Sequence, residues 1–416
     1  MTRTIVFLAL ITLCFVGCGA SIASSEAVTL QRVDELPLVD QIAWKEYLKR
    51  SEFSAQADAA ALKSELTDLG MTQAIRAPDG GDFKLPAKPG DAWYAQEEAS
   101  KLVEIVLSYQ TPSGGWSKHT GYSAGPRKPG MQWTSQNAPG QSPHYVATFD
   151  NRSTTEQLHY LANVWEATKR DDCKAGFIKG LNYILVAQFP NGGWPQVYPL
   201  EGGYHDNITF NDDAMTHVLE LLHAIEQEEP RFAFLDTVQR QQAADSLARG
   251  IHCVLKAQVI LDGKKTVWCA QHDALTLQPA RARQIEPPTL SGLEGSRVLR
   301  FLMSVPEPSP ELVESIEGGL SWLESAKVTG LTRGKQNGKT AYLEDSSSSE
   351  VYWARFYDLT TGKPVFPGRD GILYASFTEM AVDNPLGYDF YTPLPGSILN
   401  NGQKKWRKML ASQARK

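Results

Sequence analysis

Hydrophobic residues in the central part of the chain recur at the spacing of amphipathic helices. Three such runs stand out: residues 95–109, 175–188 and 239–258. Each run is followed by a turn that contains a tryptophan, Trp116, Trp194 or Trp268, and the first two of these turns contain Gly-Gly-Trp. Glycine directly after a helical run is typical of a left-handed helix cap. The pattern therefore predicts three helices with similar ends.

A second helix is predicted after each of these turns. These helices are expected at residues 153–165, 213–227 and 290–303, and a further one at residues 310–327. The unit repeats roughly every 70 to 80 residues, about twice the period of short helical repeats. Strand-like alternation is limited to residues 351–357 and 372–376. Paired helices with similar turns at one end predict an all-α fold, an (α/α) toroid whose inner helices begin around one mouth.

The tryptophans of the turns have two interpretations. A tryptophan after a helix cap is expected to cover the end of the toroid as part of the hydrophobic core. The functional alternative is a platform on which a sugar ring stacks at the rim of a cleft.

The first residues resemble an export signal. Arg3 supplies a positive charge, and residues 5–16 form an apolar run of 12 residues, shorter than the roughly 20 that a membrane-spanning helix needs. Cleavage before Cys18, at a relaxed lipobox, would leave a lipidated cysteine, whereas Ser21-Ile22-Ala23 suits an ordinary cleavage site. Both interpretations stay open. Both predict a secreted or cell-envelope protein, with membrane contact only if Cys18 is lipidated.

The chain is expected to have three regions. Helical patterns at residues 42–50 and 55–69 precede a stretch rich in proline and glycine, residues 77–91. We therefore expect a leader at residues 1–23, an N-terminal helical region with its linker at residues 24–90, and the toroid at residues 91–416. A chain of 416 residues can form one large domain with such a smaller appendage.

Composition narrows the class of partner. The chain is 42% hydrophobic and 21% charged, as in ordinary globular proteins, and its net charge of −6 disfavours nucleic acid. An anionic sugar chain is compatible only if arginines cluster at the site. Beyond the leader the chain has three cysteines, Cys173, Cys253 and Cys269. They are too few for a disulfide framework and form no CxxC pair for zinc, so buried free thiols are expected.

Dense polar clusters lie where the second helix of each pair is predicted to begin. The clusters are FDNRSTTE from Phe149, TFNDDAM from Thr209 and WCAQHD from Trp268. A single Asp or Asn there is explained by helix capping. Acidic clusters at corresponding positions of successive repeats would instead project toward a common axis, where hard oxygen ligands suit calcium. His272 is expected to support the site by hydrogen bonding, because no second histidine lies at ligand spacing.

These stretches resemble polysaccharide lyase family 10, the pectate lyases with an (α/α)3 toroid. The matching sequences are FDNRSTTEQL, NGGWPQVYP, TFNDDAM, WCAQHDALT, ARQIEPPTLSG with the RFLM that follows, and FPGRDG. Together they span residues 93–380 in the order of the family, and the region up to Gly90 is not clearly covered. Arg152, after Asp-Asn, and Ala270, in WCAQHD, depart from the family pattern without touching the acidic or basic residues that the chemistry needs.

The resemblance implies a calcium-dependent pectate lyase that cleaves polygalacturonate by β-elimination. It places Ca²⁺ at Asp212, Asp150 and Asn151, and gives Asp150 a catalytic role as well. Arg283 would remove the C5 proton, with Arg281 as the alternative if the loop is shifted. An arginine base is chemically demanding, because its pKa lies far above neutrality and only a strongly cationic surrounding favours the neutral form.

The resemblance also implies which residues bind substrate. Arg355 and Arg369 would bind the uronate carboxylates, with Asn151 and the weaker candidate Lys118 beside them. We expect the protein to act as a monomer on pectate.

Other functions remain open on the residues alone. Asn211-Asp212-Asp213 would suit magnesium diphosphate in a prenyl enzyme, although a full DDxxD cluster is absent and the export signal disfavours that class. A glycoside hydrolase on the same toroid would need two carboxylates at a defined separation, and Asp150 and Asp212 are candidates. A uronate-binding protein without activity would not need Arg283.

Overall fold

The computed structural model describes residues 26–81, 83–85, 90–135, 147–336, 339–383 and 389–413. The expected leader, including Cys18, lies outside these ranges. Twelve α-helices are described: α1 Leu30–Asp34, α2 Leu38–Asp68, α3 Glu97–Ser108, α4 Thr155–Thr168, α5 Asp171–Ala187, α6 Ala214–Glu226, α7 Thr237–Ala257, α8 Glu294–Leu302, α9 Pro310–Ser325, α10 Phe377–Asp383, α11 Leu394–Ser397 and α12 Gln403–Gln413. None of these helices is both long and apolar enough to cross a membrane.

The helices pack as antiparallel pairs around a common axis. The inner helix α6 packs between the inner helices α4 and α8, and each of the three pairs with the outer helix that follows it, α5, α7 or α9. Helix α3 precedes the first pair and packs against α4. Helix α6 is buried on nearly all sides, as expected for an inner element. The all-α prediction and the (α/α)3 toroid are confirmed.

Three glutamines tie the outer helices together. Each lies at the end of an outer helix and donates from Nε2 to two main-chain carbonyls, one in its own turn and one in the next outer helix. The acceptors are Gly114 and Gly176 for Gln110, Gly192 and Ser246 for Gln188, and Thr266 and Ser315 for Gln258, all at 2.8–2.9 Å. The same contact therefore links α3 to α5, α5 to α7 and α7 to α9, and these four helices form the outer wall.

The tryptophans of the turns belong to the core. Trp116, Trp194 and Trp268 are all 0% exposed. Each donates from Nε1 to a carbonyl of the preceding outer helix, at 2.8, 2.9 and 2.7 Å. Trp353 makes the same type of bond to the carbonyl of Leu323 at the end of α9. The platform interpretation is excluded for these side chains, because they offer no surface to a sugar.

Two of the turn glycines cannot be replaced without displacing backbone. Gly114 has φ 113° and Gly192 has φ 93°, both in the left-handed region. A Cβ atom would lie 2.6 Å from the carbonyl oxygen of Lys179 at the first position and 2.1 Å from that of Arg249 at the second. The turns therefore need glycine both for conformation and for close packing on the next outer helix.

The N-terminal region folds onto the toroid through one long helix. The sequence predicts two helices there, and this is wrong, since α2 runs unbroken for 31 residues. One face of α2 is buried, and Tyr47 donates from its hydroxyl to the carbonyl of Ala187 at 3.0 Å. Asp58 accepts from the backbone N–H of Ser113 at 2.7 Å. Helix α2 thus packs across the turns that lead to the mouth.

The strands are short and all pair antiparallel. They are β1 Ile208–Thr209, β2 Ile260–Leu261, β3 Lys264–Lys265, β4 Gln271–His272, β5 Leu290–Ser291, β6 Leu331–Gln336, β7 Lys339–Glu344, β8 Trp353–Ala354, β9 Phe356–Tyr357, β10 Phe366–Pro367, β11 Leu373–Tyr374 and β12 Tyr391–Thr392. Pairs β1–β4 and β5–β9 join loops around the mouth. Cys173, Cys253 and Cys269 are buried free thiols, as expected.

Candidate active site

The three repeats enter their inner helices in the same way. The backbone N–H groups of Thr148, Thr209 and Ser291 donate to the carbonyls of Trp116, Trp194 and Trp268 at 3.0, 3.4 and 2.9 Å. The residues two and three positions later are Asp150 and Asn151, Asn211 and Asp212, and Leu293 and Glu294. Because the inner helices begin at one mouth, the polar side chains of this set, which are all except Leu293, meet there.

The first two entries have an unusual backbone. Asn151 and Arg152 have φ of 52° and 64°, and the corresponding Asp212 and Asp213 have φ of 50° and 62°. Consecutive residues other than glycine in the left-handed region are costly, and such strain is typical of functional sites. The two turns pack against each other. This conformation carries the predicted acidic residues of both repeats to one place.

Asp150 is a buried carboxylate, and only one of its two oxygens is paired with a positive charge. Its Oδ2 lies 2.5 Å from Nζ of Lys118, and the residue is only 3% exposed. Its Oδ1 is also buried, and no donor among the described residues reaches it. A buried carboxylate oxygen without a hydrogen bond is unfavourable in the absence of a cation. Lys118 and Asp150 are thus brought together, as the sequence analysis expected for one site.

Asp212 lies beside Asp150 at the exposed rim of the mouth. Loss of hydration and the negative charge of Asp150 raise the pKa of Asp212 to about 6, against the opposing effect of Arg355. Glu294 and Glu286 also contribute to this rise. The amide of Asn211 donates to Oδ2 of Asp212 at 2.8 Å. Four carboxylates therefore act on one another electrostatically at the mouth.

Glu294 is a site residue that the sequence analysis missed. It begins helix α8 and is 1% exposed. Nη2 of Arg355 lies 2.8 Å from Oε1 of Glu294 and 3.1 Å from Oδ1 of Asn211. Arg355 is therefore brought to the acidic cluster, although it is itself only 8% exposed. Glu294 could have been identified from the sequence, because it corresponds in position to Asn151 and Asp212 of the other two repeats.

Arg283 lies on an exposed loop and pairs with a buried acid. Its Nη2 lies 2.6 Å from Oε1 of Glu286, and its Nε donates to Oε2 at 2.9 Å. Because Glu286 also acts on the pKa of Asp212, this loop lies near the acidic cluster. Gln284, next to Arg283, donates to the carbonyl of Asp370 at 3.3 Å. Arg369, the residue before Asp370, is exposed on the loop that packs there.

His272, near the mouth, makes hydrogen bonds that support the surrounding loops. His272 is buried, contacts the carbonyl of Leu277 through Nδ1 at 2.8 Å and accepts from the N–H of Cys269 at 3.1 Å. Burial lowers the pKa of His272 to about 4, so it stays neutral. Asp213 pairs with Arg297 at 2.7 Å, which ties helix α8 to the second acidic turn. The hydrogen-bonding role expected for His272 fits these contacts.

The donor set fits a hard cation that shares its ligands with substrate. Among the described residues, no group of three or more histidine, cysteine, aspartate or glutamate side chains is placed to hold a metal ion. Asp150 and Asp212 offer two carboxylates, and Asn151 offers an amide oxygen in the same turn as Asp150. Calcium takes six to eight oxygen ligands, roughly, so the remainder would come from water and a ligand. The uncompensated Oδ1 of Asp150 supports such a site.

Comparison with known proteins agrees with this geometry. The family described as pectic acid lyase matches residues 110–399. A family 10 polysaccharide lyase from Cellvibrio cellulosa is 31% identical, with a TM-score of 0.65, and the match covers 78% of this chain and 98% of that chain. A mutant family 10 lyase from the same organism, in complex with trigalacturonic acid, is also 31% identical at a TM-score of 0.65, covering 75% and 96%. No curated protein matches.

The family match spans well over half of the chain, and the solved structures share its toroid over nearly their whole length. The family match also covers both acidic turns, the loop that contains Arg283 and the loop that contains Arg369. This chain belongs to the pectic acid lyase family and is a polysaccharide lyase.

Proposed function

We propose that the protein cleaves α-1,4-polygalacturonate by calcium-assisted anti-β-elimination and releases 4,5-unsaturated oligogalacturonides. The observation that carries the proposal is the pair of acidic turns at the mouth. Asp150 has a buried oxygen that no described donor reaches, and Asp212 beside it has a raised pKa. Two carboxylates that repel each other in this way are suited to binding a divalent cation. The bound cation can then attract an anionic sugar chain. The related lyase that was solved with trigalacturonic acid supports this substrate class.

The basic residues are assigned to the uronate groups. Arg369 is exposed on the loop beside Gln284 and is placed to reach a sugar carboxylate. Arg355 and Lys118 contact the acidic cluster directly, at Glu294 and Asp150. We assign them, with Asn151, to the sugar units that lie over the calcium site. A negatively charged protein can bind an anionic chain in this way, because the cations are local.

The reaction breaks one C–H bond and one C–O bond. Arg283 accepts the proton from C5, and the electrons of that bond form the C4–C5 double bond. The electrons of the bond from C4 to the bridging oxygen leave with the oxygen, which takes up a proton from water. Calcium, when bound, supplies neutralisation of the charge that develops next to the C6 carboxylate. Arg283 is held ready by Glu286, and the ion pair must loosen before the guanidine can act as a base.

Formation of the unsaturated product tests the proposal. The purified chain is incubated with polygalacturonate and calcium, and the ultraviolet absorbance of the unsaturated uronide is followed together with reducing ends. We expect both signals to rise together and a chelator to abolish both. Reducing ends without absorbance would establish hydrolysis by Asp150 and Asp212. Binding of oligogalacturonide without either signal would establish a uronate-binding protein. Full activity in the presence of the chelator would exclude calcium from the mechanism.

The leader-like residues 1–23 support a secreted or cell-envelope location for this activity. That location is consistent with a polymeric substrate, which cannot enter a cell intact. Fractionation of cells that express the full chain, followed by detection of the protein outside the cytoplasm, tests it.

A further inference from the structure

The two faces of helix α2 contact different surroundings. One face, with Trp44 and Tyr47, packs on the toroid. At 3.6 residues per turn the opposite face presents another set of side chains. These are Leu38, Val39, Ile42 and Phe53, with exposures of 79, 82, 67 and 72%. We call these four residues the α2 stripe.

The α2 stripe is a concentration of exposed apolar surface. Twelve large apolar side chains are exposed among the described residues, and five of them lie between Leu30 and Phe53, namely the α2 stripe and Leu30. Single exposed apolar residues are ordinary, but a group on one helix face is typical of an interaction surface. The stability of α2 on the toroid does not explain it, because the packed face is on the other side.

The charges along α2 are balanced, so they do not favour a strongly charged partner. Along this part of α2, the basic residues Lys45, Lys49 and Arg50 are balanced by Asp40, Glu46 and Glu52. Glu46 and Lys49 lie on the same side as the α2 stripe, between Ile42 and Phe53, so this face carries one charge of each sign on a stem that can reach past an apolar contact. A partner for this face must therefore offer apolar material and tolerate both charges, as the interfacial region of a lipid bilayer does.

The chain that precedes α2 favours a bilayer over other partners. The described residues begin at Glu26, eight positions after Cys18. Eight extended residues span at most roughly 28 Å, so a lipidated Cys18 would hold α1 and α2 near the membrane. One acyl-type anchor gives only marginal binding, and a second contact is needed for stable attachment. The α2 stripe is in the right place for that second contact.

We propose that the α2 stripe binds the surface of a lipid bilayer, with α2 lying parallel to it. The apolar side chains enter the interfacial region, while Tyr47 and the packed face keep the toroid on the water side. The proposal does not depend on the reaction or on the substrate.

Vesicle flotation tests the proposal. Protein purified from cells that express the full chain is mixed with vesicles of phosphatidylethanolamine and phosphatidylglycerol, and the fraction that floats is measured. The test variant carries Leu38→Gln, Ile42→Gln and Phe53→Gln. The control carries Val238→Gln, Ile260→Gln and Ile372→Gln, at positions that are 65, 60 and 54% exposed elsewhere on the surface. Melting temperature and lyase activity of both variants report on folding.

We expect the unchanged chain and the control to float, and partition of the test variant to fall about tenfold or more. No flotation of the unchanged chain, or an equal loss in the control, would overturn the proposal. Sedimentation of the unchanged chain as a dimer that the test variant dissociates, without flotation, would show that a second copy covers the α2 stripe instead. Loss of lyase activity in all variants, with flotation retained, would contradict the proposed reaction but not the membrane contact proposed for the α2 stripe.

Discussion

The guanidinium of Arg283 faces the carboxylate of Glu286 in a two-point ion pair, with Nη2 2.6 Å from Oε1 and Nε 2.9 Å from Oε2. Paired contacts of this kind fix the plane of a guanidinium as well as its charge. The side chain of Arg283 is half exposed, whereas that of Glu286 is only 9% exposed. The buried carboxylate therefore holds the guanidinium from the protein side. The geometry orients Arg283 toward the mouth but favours its charged form.

Replacement of Arg283 is expected to remove catalysis with little loss of binding. Arg283→Lys keeps the charge but cannot reproduce the two-point contact with Glu286 or the position of the proton acceptor. We expect kcat on polygalacturonate to fall roughly 10²–10⁴-fold, the usual range for a general base, with KM changed far less. Initial rates from the absorbance of the unsaturated product measure this. Arg281→Lys serves as the control, and an equal loss there would reassign the base.

Removal of the Glu286 charge is expected to shift the pH dependence. Glu286→Gln takes away the negative charge that favours the protonated guanidinium of Arg283. The neutral, reactive form then becomes accessible at lower pH, so the rising limb of kcat/KM against pH should move to lower pH. A limb that stays in place or moves upward would contradict the assignment of Arg283 as base.

Calcium binding is expected to weaken as the pH falls through about 6. Burial and the neighbouring Asp150 raise the pKa of Asp212 to about 6, so below that pH a proton competes with the cation for this carboxylate. We expect the affinity for Ca²⁺ to drop about tenfold per pH unit below 6 and to level off above it. Calorimetric titration with calcium alone, from pH 5 to 8, measures this. Asp212→Asn should bind calcium weakly at every pH, and a strong pH dependence in that variant would implicate another group.

The same carboxylate is expected to lower stability when the metal is absent. The pKa of folded Asp212 lies above its unfolded value of 3.8, so the folded state binds the proton more tightly. The cost of the charge is therefore complete above about pH 6 and is relieved as the pH falls. In calcium-free buffer, Asp212→Asn should raise the melting temperature at pH 8 by a few degrees and change it little at pH 4. Equal melting temperatures at pH 8 would show that the repulsion is relieved in another way.

Two of the arginines assigned to the substrate should respond differently to truncation. Arg355→Ala leaves the carboxylate of Glu294 buried without its partner, and removing one member of such a pair costs about 3–5 kcal/mol. Arg369 is exposed, so Arg369→Ala should leave stability unchanged and raise KM for polygalacturonate. Thermal unfolding and steady-state kinetics on both variants separate the effects. A destabilised Arg369→Ala variant, or a stable Arg355→Ala variant, would reverse these assignments.

The glutamines of the outer wall are expected to differ in their contribution to stability. Oε1 of Gln188 accepts from the hydroxyl of Ser246 and from Nη2 of Arg249, at 2.9 and 2.6 Å. Oε1 of Gln258 is buried and has no donor among the described residues. Both side chains donate to two carbonyls, so replacement by leucine leaves acceptors unpaired in each case, at roughly 1–3 kcal/mol. Gln188→Leu should cost more than Gln258→Leu in urea unfolding, and the reverse order would contradict this account.

Helix positions and their turns could be predicted because both depend on local signals. The glycines of the turns and the spacing of apolar residues locate the paired helices to within a few residues. The break expected between residues 50 and 55 was wrong because polar residues interrupt the apolar pattern there without any glycine or proline to end the helix. Packing of Tyr47 and Asp58 on the toroid stabilises the continuous helix α2, and that packing is not visible in local sequence.

The site was predictable where it repeats and not where it depends on distant pairing. Asp150-Asn151 and Asn211-Asp212 occupy corresponding positions in two repeats, and these paired acidic clusters suggested a common site. The role of Glu294 depends on Arg355, 61 positions later in the chain, and nothing near Glu294 in sequence signals that partner. The two-residue strands β1, β4 and β5 around the mouth are too short to show alternation and were missed, whereas their neighbour β9 lies within the strand expected at residues 351–357.

The backbone angles at the mouth distinguish one repeat from the other two. Asn151 and Asp212 enter their helices in the left-handed region at φ 52° and 50°, whereas Glu294, the corresponding residue of the third repeat, has a negative φ and already belongs to helix α8. A site with three equivalent repeats would offer a sugar chain three equivalent placements across the mouth. By breaking its own threefold pattern at α8, the toroid makes these placements unequal, so that a chain can prefer one of them.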